Sequence, residues 1–342
     1  MEKILKVGIV GCGAIGRDHC RRLINNIPGV TVVAVSDYVA QAADDTAAQF
    51  GIRSFGNDCD AMIKDTEVEA VVITSIDPTH FEYVMKTLEA GKWCFCEKPL
   101  AITADDCVTI INKEQEFGKR MIQVGFMRHY DTGYAEMKRI IDSGEIGKPL
   151  IIKAAHRNVS QGPGFKTENG ITNVAIHELD ICRWLLDDEY EDGQVIKVRQ
   201  TSNTTEYDNP QTVLLRTKKG CFIDVEIQCA DGYGYDIQCE VVCENGTVKL
   251  PDPYAVVRRS RPDPKNLPNE SMPIMVDWKD RFIDAYDIEF NDWVSAVHEG
   301  KLRGPSAWDG YAACVAADAL NASRGTSQFK KIEMIEKPDM YK

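Results

Sequence analysis

Residues Leu5 to Val10 form a β-rich, mostly apolar run that breaks at Gly11-Cys12-Gly13-Ala14-Ile15-Gly16 and gives way to a helical pattern through about Asn25. A second apolar run, Val30 to Ser36, ends in Asp37. The alternation then repeats as strand Val68 to Ser75, helix Thr79 to Ala90, strand Lys92 to Glu97, helix Thr103 to Phe117 and strand Met121 to Phe126. Near-continuous apolar strands separated by helices predict a parallel sheet covered on both faces. The expected N-terminal architecture is therefore α/β, a doubly wound Rossmann sheet.

After Gly147-Lys148-Pro149 the pattern changes. Strands are expected at Val195 to Thr201, Thr212 to Thr217, Phe222 to Cys229 and Asp236 to Cys243, with turns at Lys219-Gly220 and, as a type I′ hairpin, at Asn245-Gly246. This predicts a C-terminal α+β domain with a large, mostly antiparallel sheet. Helices around Ile171 to Leu186, Asp280 to Glu299 and Ser306 to Ser323 are expected to cover part of one face. An uncovered face favours pairing with another subunit, so a homo-oligomer is expected. The boundary is placed between a Rossmann domain, residues 1–127, and an α+β domain, residues 128–342, whose C-terminal tail is free to return to the first.

A chain of 342 residues fits two such domains. The net charge of −13 disfavours nucleic acid and anionic membrane as partners and leaves a small molecule. The N-terminus runs straight into a strand, and no apolar stretch approaches the ~20 residues of a membrane span. A cytoplasmic protein is expected. None of the 12 cysteines forms a Cys-x-x-Cys pair, so they read as reduced core thiols and no metal site is expected.

The glycine segment has the context a dinucleotide site requires: a buried strand before it, a helix after it, and an acid, Asp37, 21 residues beyond Gly16 at the end of the next strand. Gly11 permits the tight turn, Gly13 close approach of a pyrophosphate, and Gly16 close helix packing, while the N–H groups around Ala14 and Ile15 face the phosphates. Asp37 can accept both ribose hydroxyls but repels a 2′-phosphate, and Tyr38 rather than an arginine follows it. NAD is therefore expected as the cofactor. Thr74, Ser75 and His80 lie at the carboxyl end of the third strand, where such cofactors bind. For His80 the alternative is a helix-start side chain serving the local backbone. Glu97, Lys98 and Gln123 complete the expected cofactor contacts.

Two clusters carry candidate chemistry. Glu97-Lys98-Pro99 ends a short apolar strand, which aims Lys98 at the crevice where a nicotinamide would lie. A partly desolvated ammonium there can polarise or deprotonate a hydroxyl. Asn173, His177 and Asp180 fall at helical spacings of four and three, beside an apolar stripe of Val174, Ile181 and Leu185.

These segments together resemble the glucose-fructose oxidoreductase and inositol dehydrogenase family. Gly125-Phe126-Met127-Arg128-His129-Tyr130-Asp131, Tyr233-Gly234-Tyr235 and Ser306-Ala307-Trp308-Asp309-Gly310-Tyr311 resemble its inositol 2-dehydrogenase branch. The resemblance implies catalytic roles for Lys98 and His177, and a polyol pocket lined by Met127, Arg128, His156, Asn158, position 173 and Tyr235. It also implies a tetramer. The implied reaction is NAD-dependent oxidation of a ring hydroxyl of myo- or scyllo-inositol to the inosose, with His177 taking the hydroxyl proton and Lys98 holding the oxygen. The family has Asp at position 173 where this chain has Asn173, and an amide brings no charge to stabilise an imidazolium. Two alternatives stand beside this reading: a dehydrogenase of another pyranose sugar, and a non-catalytic NAD-binding regulator.

Overall fold

The five apolar runs of the N-terminal third become parallel strands of one sheet, and a sixth, short and exposed strand at Arg53–Ser54 joins its edge. The computed structural model describes residues 4–251, 257–259, 269–271, 275 and 277–342. The chain divides into two units, one of Met1–Tyr130, Asp284–Asp318 and Glu333–Lys342, the other of Asp131–Ile283 and Ala319–Ile332.

In the first unit β1 (Leu5–Val10), α1 (Ala14–Asn25), β2 (Val30–Ser36), α2 (Ala40–Phe50), β3 (Arg53–Ser54), α3 (Cys59–Lys64), β4 (Ala70–Ile73), α4 (His80–Glu89), β5 (Trp93–Glu97), α5 (Ala104–Gln115) and β6 (Ile122–Gly125) follow in order. The sheet order is β3-β2-β1-β4-β5-β6, every pair parallel. Strand order reverses between β1 and β4, and in open α/β sheets the ligand crevice opens at that reversal. All four residues of β4 and β6 are buried, as two-sided coverage requires.

The second unit holds α6 (Thr132–Ser143), β7 (Pro149–Arg157), α7 (Ile176–Leu186), β8 (Tyr190–Lys197), β9 (Gln211–Thr217), β10 (Phe222–Gln228), β11 (Asp236–Cys243) and β12 (Gly246–Lys249). A short pair, β13 (Val257–Arg259) and β14 (Asn269–Ser271), stands apart from the main sheet. Helices α8 (Trp278–Glu299) and α9 (Ala307–Ser323) follow, then β15 (Lys330–Lys331). The main sheet runs β12-β11-β7-β10-β9-β8-β15 and is antiparallel except for β7 with β10.

Three expectations are corrected. Of the three helices expected to cover part of the second sheet, α8 instead completes the first unit from Asp284 onward, and α9 belongs to that unit through Asp318. Phe290, Trp293, Val294 and Val297, spaced i, i+3, i+4 and i+7, join the core cluster of Val7, Ile9, Val72 and Phe95. The only non-helical residue of α8, Phe282 (φ −119°, ψ 19°), precedes that stretch. The hairpin between β11 and β12 pairs Cys243 with Gly246, so its loop is Glu244-Asn245, and neither residue has the positive φ that type I′ demands. The segment before α7 is a π turn, Gly170–Ala175, so Asn173 and His177 do not share a plain α-helical face.

The C-terminal tail is bound into the first unit: the Tyr341 hydroxyl donates to the Glu114 carboxylate, which also accepts the N–H groups of Met121 (2.5 Å) and Ile122 (2.7 Å). All 12 cysteines are free and buried. Among the described residues no helix is long and apolar enough to cross a membrane.

Candidate active site

The three glycines of the first turn differ in what surrounds them. A side chain at Gly11, at φ +101°, would meet the Ser75 nitrogen at 2.5 Å, and one at Gly16 would meet the Gly11 oxygen at 1.9 Å. Both glycines are required by backbone packing of β1, α1 and the end of β4. A side chain at Gly13 would meet nothing within 4 Å. Gly13 is the exposed N-cap of α1 and supplies no side-chain cap, so the first N–H groups of the helix are left for a ligand.

Asp37 lies against this turn, its carboxylate accepting the Cys12 N–H (2.6 Å) and the Val39 N–H (2.8 Å). Tyr38 beside it is 89% exposed, an aromatic face open to a ligand. The Thr74 hydroxyl donates to the Gly11 carbonyl (2.7 Å) and so pins the turn to β4, while Ser75 shares a hydrogen bond with Thr79 (2.7 Å).

His80 is buried, with Nδ1 2.6 Å from the Pro99 carbonyl and Nε2 3.0 Å from the Ser75 carbonyl. Its ring ties together the two loops that follow β4 and β5. Glu97, at the end of β5, has one carboxylate oxygen 2.8 Å from His19 Nε2 and the other accepting the Lys98 N–H at 3.2 Å. Gly125 of β6 makes room for that carboxylate, since a side chain there would stand 3.1 Å from it. Lys98 itself is half-buried. The buried Gln123 amide donates to the Tyr130 hydroxyl (3.3 Å), which donates to Asp292 (3.0 Å). Met127 and Arg128 follow in a short turn and are both buried.

The second unit gathers its own cluster. His156 near the end of β7, His177 in the first turn of α7, and Tyr235 just before β11 come together: the His156 ring lies 6.0 Å from that of His177 and edge-on to Tyr235 at 5.6 Å. Glu178, buried like His156, stands 3.0 Å from His156 Nδ1. An ionised carboxylate only accepts, so it would draw a ring proton onto Nδ1. The backbone of Asn158 is held by Gln228 (2.7 Å) and Asp231 (3.1 Å), and Asn173 is half-buried in the π turn. Among the described residues no group of three metal-binding side chains converges.

His19 and Glu178 are the site residues that sequence reasoning does not single out. His19 lies three residues past the glycine turn, and its partner Glu97 is 78 residues further along. Glu178 adjoins His177, and that adjacency is the one signal available for it.

A glycine turn of this geometry, at the switch point of a 3-2-1-4-5-6 sheet and facing an acid at the end of β2, defines a dinucleotide-binding oxidoreductase fold. Among its described residues the second unit supplies buried imidazoles and a phenol. The chain belongs to the oxidoreductase family with an NAD-binding Rossmann fold, matched over residues 5–126, and a C-terminal alpha/beta domain, matched over residues 138–334. It is 48% identical over 341 residues to an inositol 2-dehydrogenase of Burkholderia vietnamiensis, covering 99% of each chain. It is also 48% identical over 343 residues to an inositol 2-dehydrogenase of Klebsiella pneumoniae subsp. pneumoniae, again covering 99% of each. Among solved structures it is similar to myo-inositol dehydrogenase from Lactobacillus casei in complex with NAD(H) and myo-inositol, at a TM-score of 0.93 and 36% identity, covering 99% of this chain and 100% of that one.

Proposed function

We propose that this chain oxidises a ring hydroxyl of an inositol, myo- or scyllo-, to the inosose with NAD as acceptor. The observation that carries this reading is the buried His156, His177 and Tyr235 cluster, in a chain 48% identical over its full length to inositol 2-dehydrogenases. Polar donors and acceptors packed side by side suit a polyhydroxylated ring, and each unmatched hydroxyl of a wrong sugar would leave one of them unpaired. In this reading residues 1–127, completed by Asp284–Asp318 and Glu333–Lys342, serve the cofactor, and the rest of 128–342 serves the substrate.

Bound NAD supplies the hydride acceptor. His177 takes the hydroxyl proton, and Lys98 donates a hydrogen bond to the same oxygen, stabilising the negative charge that develops there. His156 hydrogen-bonds a ring hydroxyl, and Asn158, Tyr235, Met127 and Arg128 orient the ring. Asn173 hydrogen-bonds where a carboxylate would also have stabilised the imidazolium. The twelve free thiols favour a reducing, cytoplasmic setting. The exposed Leu150, Ile151 and Phe222 on β7 and β10 favour a homo-oligomer, a tetramer by likeness to the family.

The test is NADH formation followed by absorbance with myo-inositol, scyllo-inositol and glucose side by side. An inositol should be turned over faster than glucose, and Lys98→Ala and His177→Ala should each abolish turnover. Full activity in either variant, or preference for glucose, overturns the assignment. Asn173→Asp should raise the rate if the missing charge limits it; no gain means the site is tuned around the amide.

A further inference from the structure

We propose that His19 is a positioning residue for Lys98, acting through Glu97, and that Arg22 and Asp287 set its tautomer. This role rests on the proposed reading of Lys98 as the group that holds the substrate oxygen. Pro99 has no N–H, so the turn carrying Lys98 lacks one of the backbone donors that could tie it down. Two side chains compensate. The Glu97 carboxylate accepts the Lys98 N–H at 3.2 Å, and His80 Nδ1 stands 2.6 Å from the Pro99 carbonyl.

Glu97 can hold Lys98 only if its own carboxylate is fixed, and His19 does this. The His19 ring is fully buried and boxed by Phe95, Tyr286 and Phe290, with centroids 6.2, 5.3 and 4.7 Å away. Arg22 Nη1 lies 3.0 Å from His19 Nδ1, and a guanidinium only donates. Nδ1 must therefore be the bare nitrogen, which puts the ring proton on Nε2, 2.8 Å from the Glu97 carboxylate. Arg22 is held in turn by Asp18 and by Asp287 of α8, each at 2.6 Å. Burial lowers the His19 pKa, opposed by the hydrogen bond to Glu97, which keeps the ring in this neutral, directional form. A line of hydrogen bonds thus runs from α8 through Arg22, His19 and Glu97 to the backbone of Lys98, all within the first unit.

A ring that merely filled space would behave differently on substitution. Glutamine can copy both polar roles, its oxygen accepting from Arg22 and its amide donating to Glu97, whereas leucine fills the aromatic box better and copies neither. The experiment compares wild type, His19→Gln and His19→Leu by kcat with an inositol, by NAD affinity from quenching of protein fluorescence, and by the pH dependence of Lys98 modification with an amine-reactive reagent, mapped by peptide. His19→Leu should lower kcat about 10- to 100-fold with NAD affinity changed less than about threefold, as a displaced reacting group does, and should shift the Lys98 modification profile. His19→Gln should keep kcat within about threefold of wild type and leave that profile in place. The opposite order, with Leu active and Gln impaired, assigns His19 to packing and overturns the proposal, as does an unshifted Lys98 profile in His19→Leu. If wild type reduces NAD with no polyol while His19→Leu still shifts the profile, the functional reading is lost and the positioning role stands.

Discussion

Gly13 and Gly16 lie three residues apart in one turn, yet alanine should act on them in opposite ways. At Gly16 the added carbon would stand 1.9 Å from the Gly11 oxygen and 2.7 Å from Thr74 Oγ1, so backbone must retreat by more than an ångström. Overpacking of that kind costs about 1–3 kcal/mol of stability. At Gly13 the carbon meets nothing within 4 Å, and φ −70°, ψ −164° suits any residue, so Gly13→Ala should fold with an unchanged melting temperature. Its effect should fall on the cofactor. Open space beside uncapped helix N–H groups is where a pyrophosphate must sit, and one lost charge-assisted hydrogen bond is worth about 1.5–3 kcal/mol. The dissociation constant for NAD should therefore rise about 10- to 150-fold in Gly13→Ala. Fluorescence quenching by NAD and a thermal melt on the two variants give both numbers. Wild-type NAD affinity in Gly13→Ala would refute the placement of the phosphates at this helix.

Other outcomes follow from single contacts. Glu178→Ala strips His156 of its buried carboxylate and should lower kcat/KM for the polyol about 10-fold or more, as loss of a charged hydrogen bond of ~1.5–3 kcal/mol implies, while NAD affinity holds. Trp293→Ala, at a fully buried position in the first unit's core, should cost about 3–5 kcal/mol, read from the urea midpoint. His19 has its folded pKa lowered, so the unfolded chain binds the proton first: the stability this ring contributes is full above pH ~6.5 and falls as pH drops through that value, by at most ~1.4 kcal/mol per pH unit. Denaturation midpoints between pH 7 and 5, as rough limits of that window, should show a shallower acid loss in His19→Gln than in wild type.

The parallel sheet was legible because its strands are buried on both faces and read as unbroken apolar runs; β1 and β2 match the expected limits, Leu5 to Val10 and Val30 to Ser36. The second sheet was legible only where apolar and polar residues alternate, as in β10 and β11. β8 starts at Tyr190 rather than Val195 because Glu191-Asp192-Gly193 has the composition of a turn, and tertiary contacts override it. Asp192 forms a two-pronged bridge with Arg216 across the strands (2.6 and 2.7 Å), and the side chains of Leu215 and Leu320 pack tightly over Gly193. β7, between β11 and β10, begins with Pro149 and carries Ala154-Ala155, which have little strand preference of their own. For the site, residue types and spacing pointed to Lys98 and His177, and the family resemblance to His156 and Tyr235, whereas the long-range pairings around them were invisible. Nothing local links His19 to Glu97 or Arg22 to Asp287, which lies 265 residues on.

The core of the Rossmann unit includes Phe290, Trp293, Val297 and Leu302 alongside Leu5, Val7 and Ile9. During synthesis at ~5–20 residues per second, the first 130 residues must wait about ten to thirty seconds before residue 302 has been made. For that interval the nascent sheet exposes the apolar surface those side chains will cover. A ribosome-bound fragment ending near residue 130 should therefore engage chaperones and be cut by protease, although it carries every glycine of the nucleotide turn.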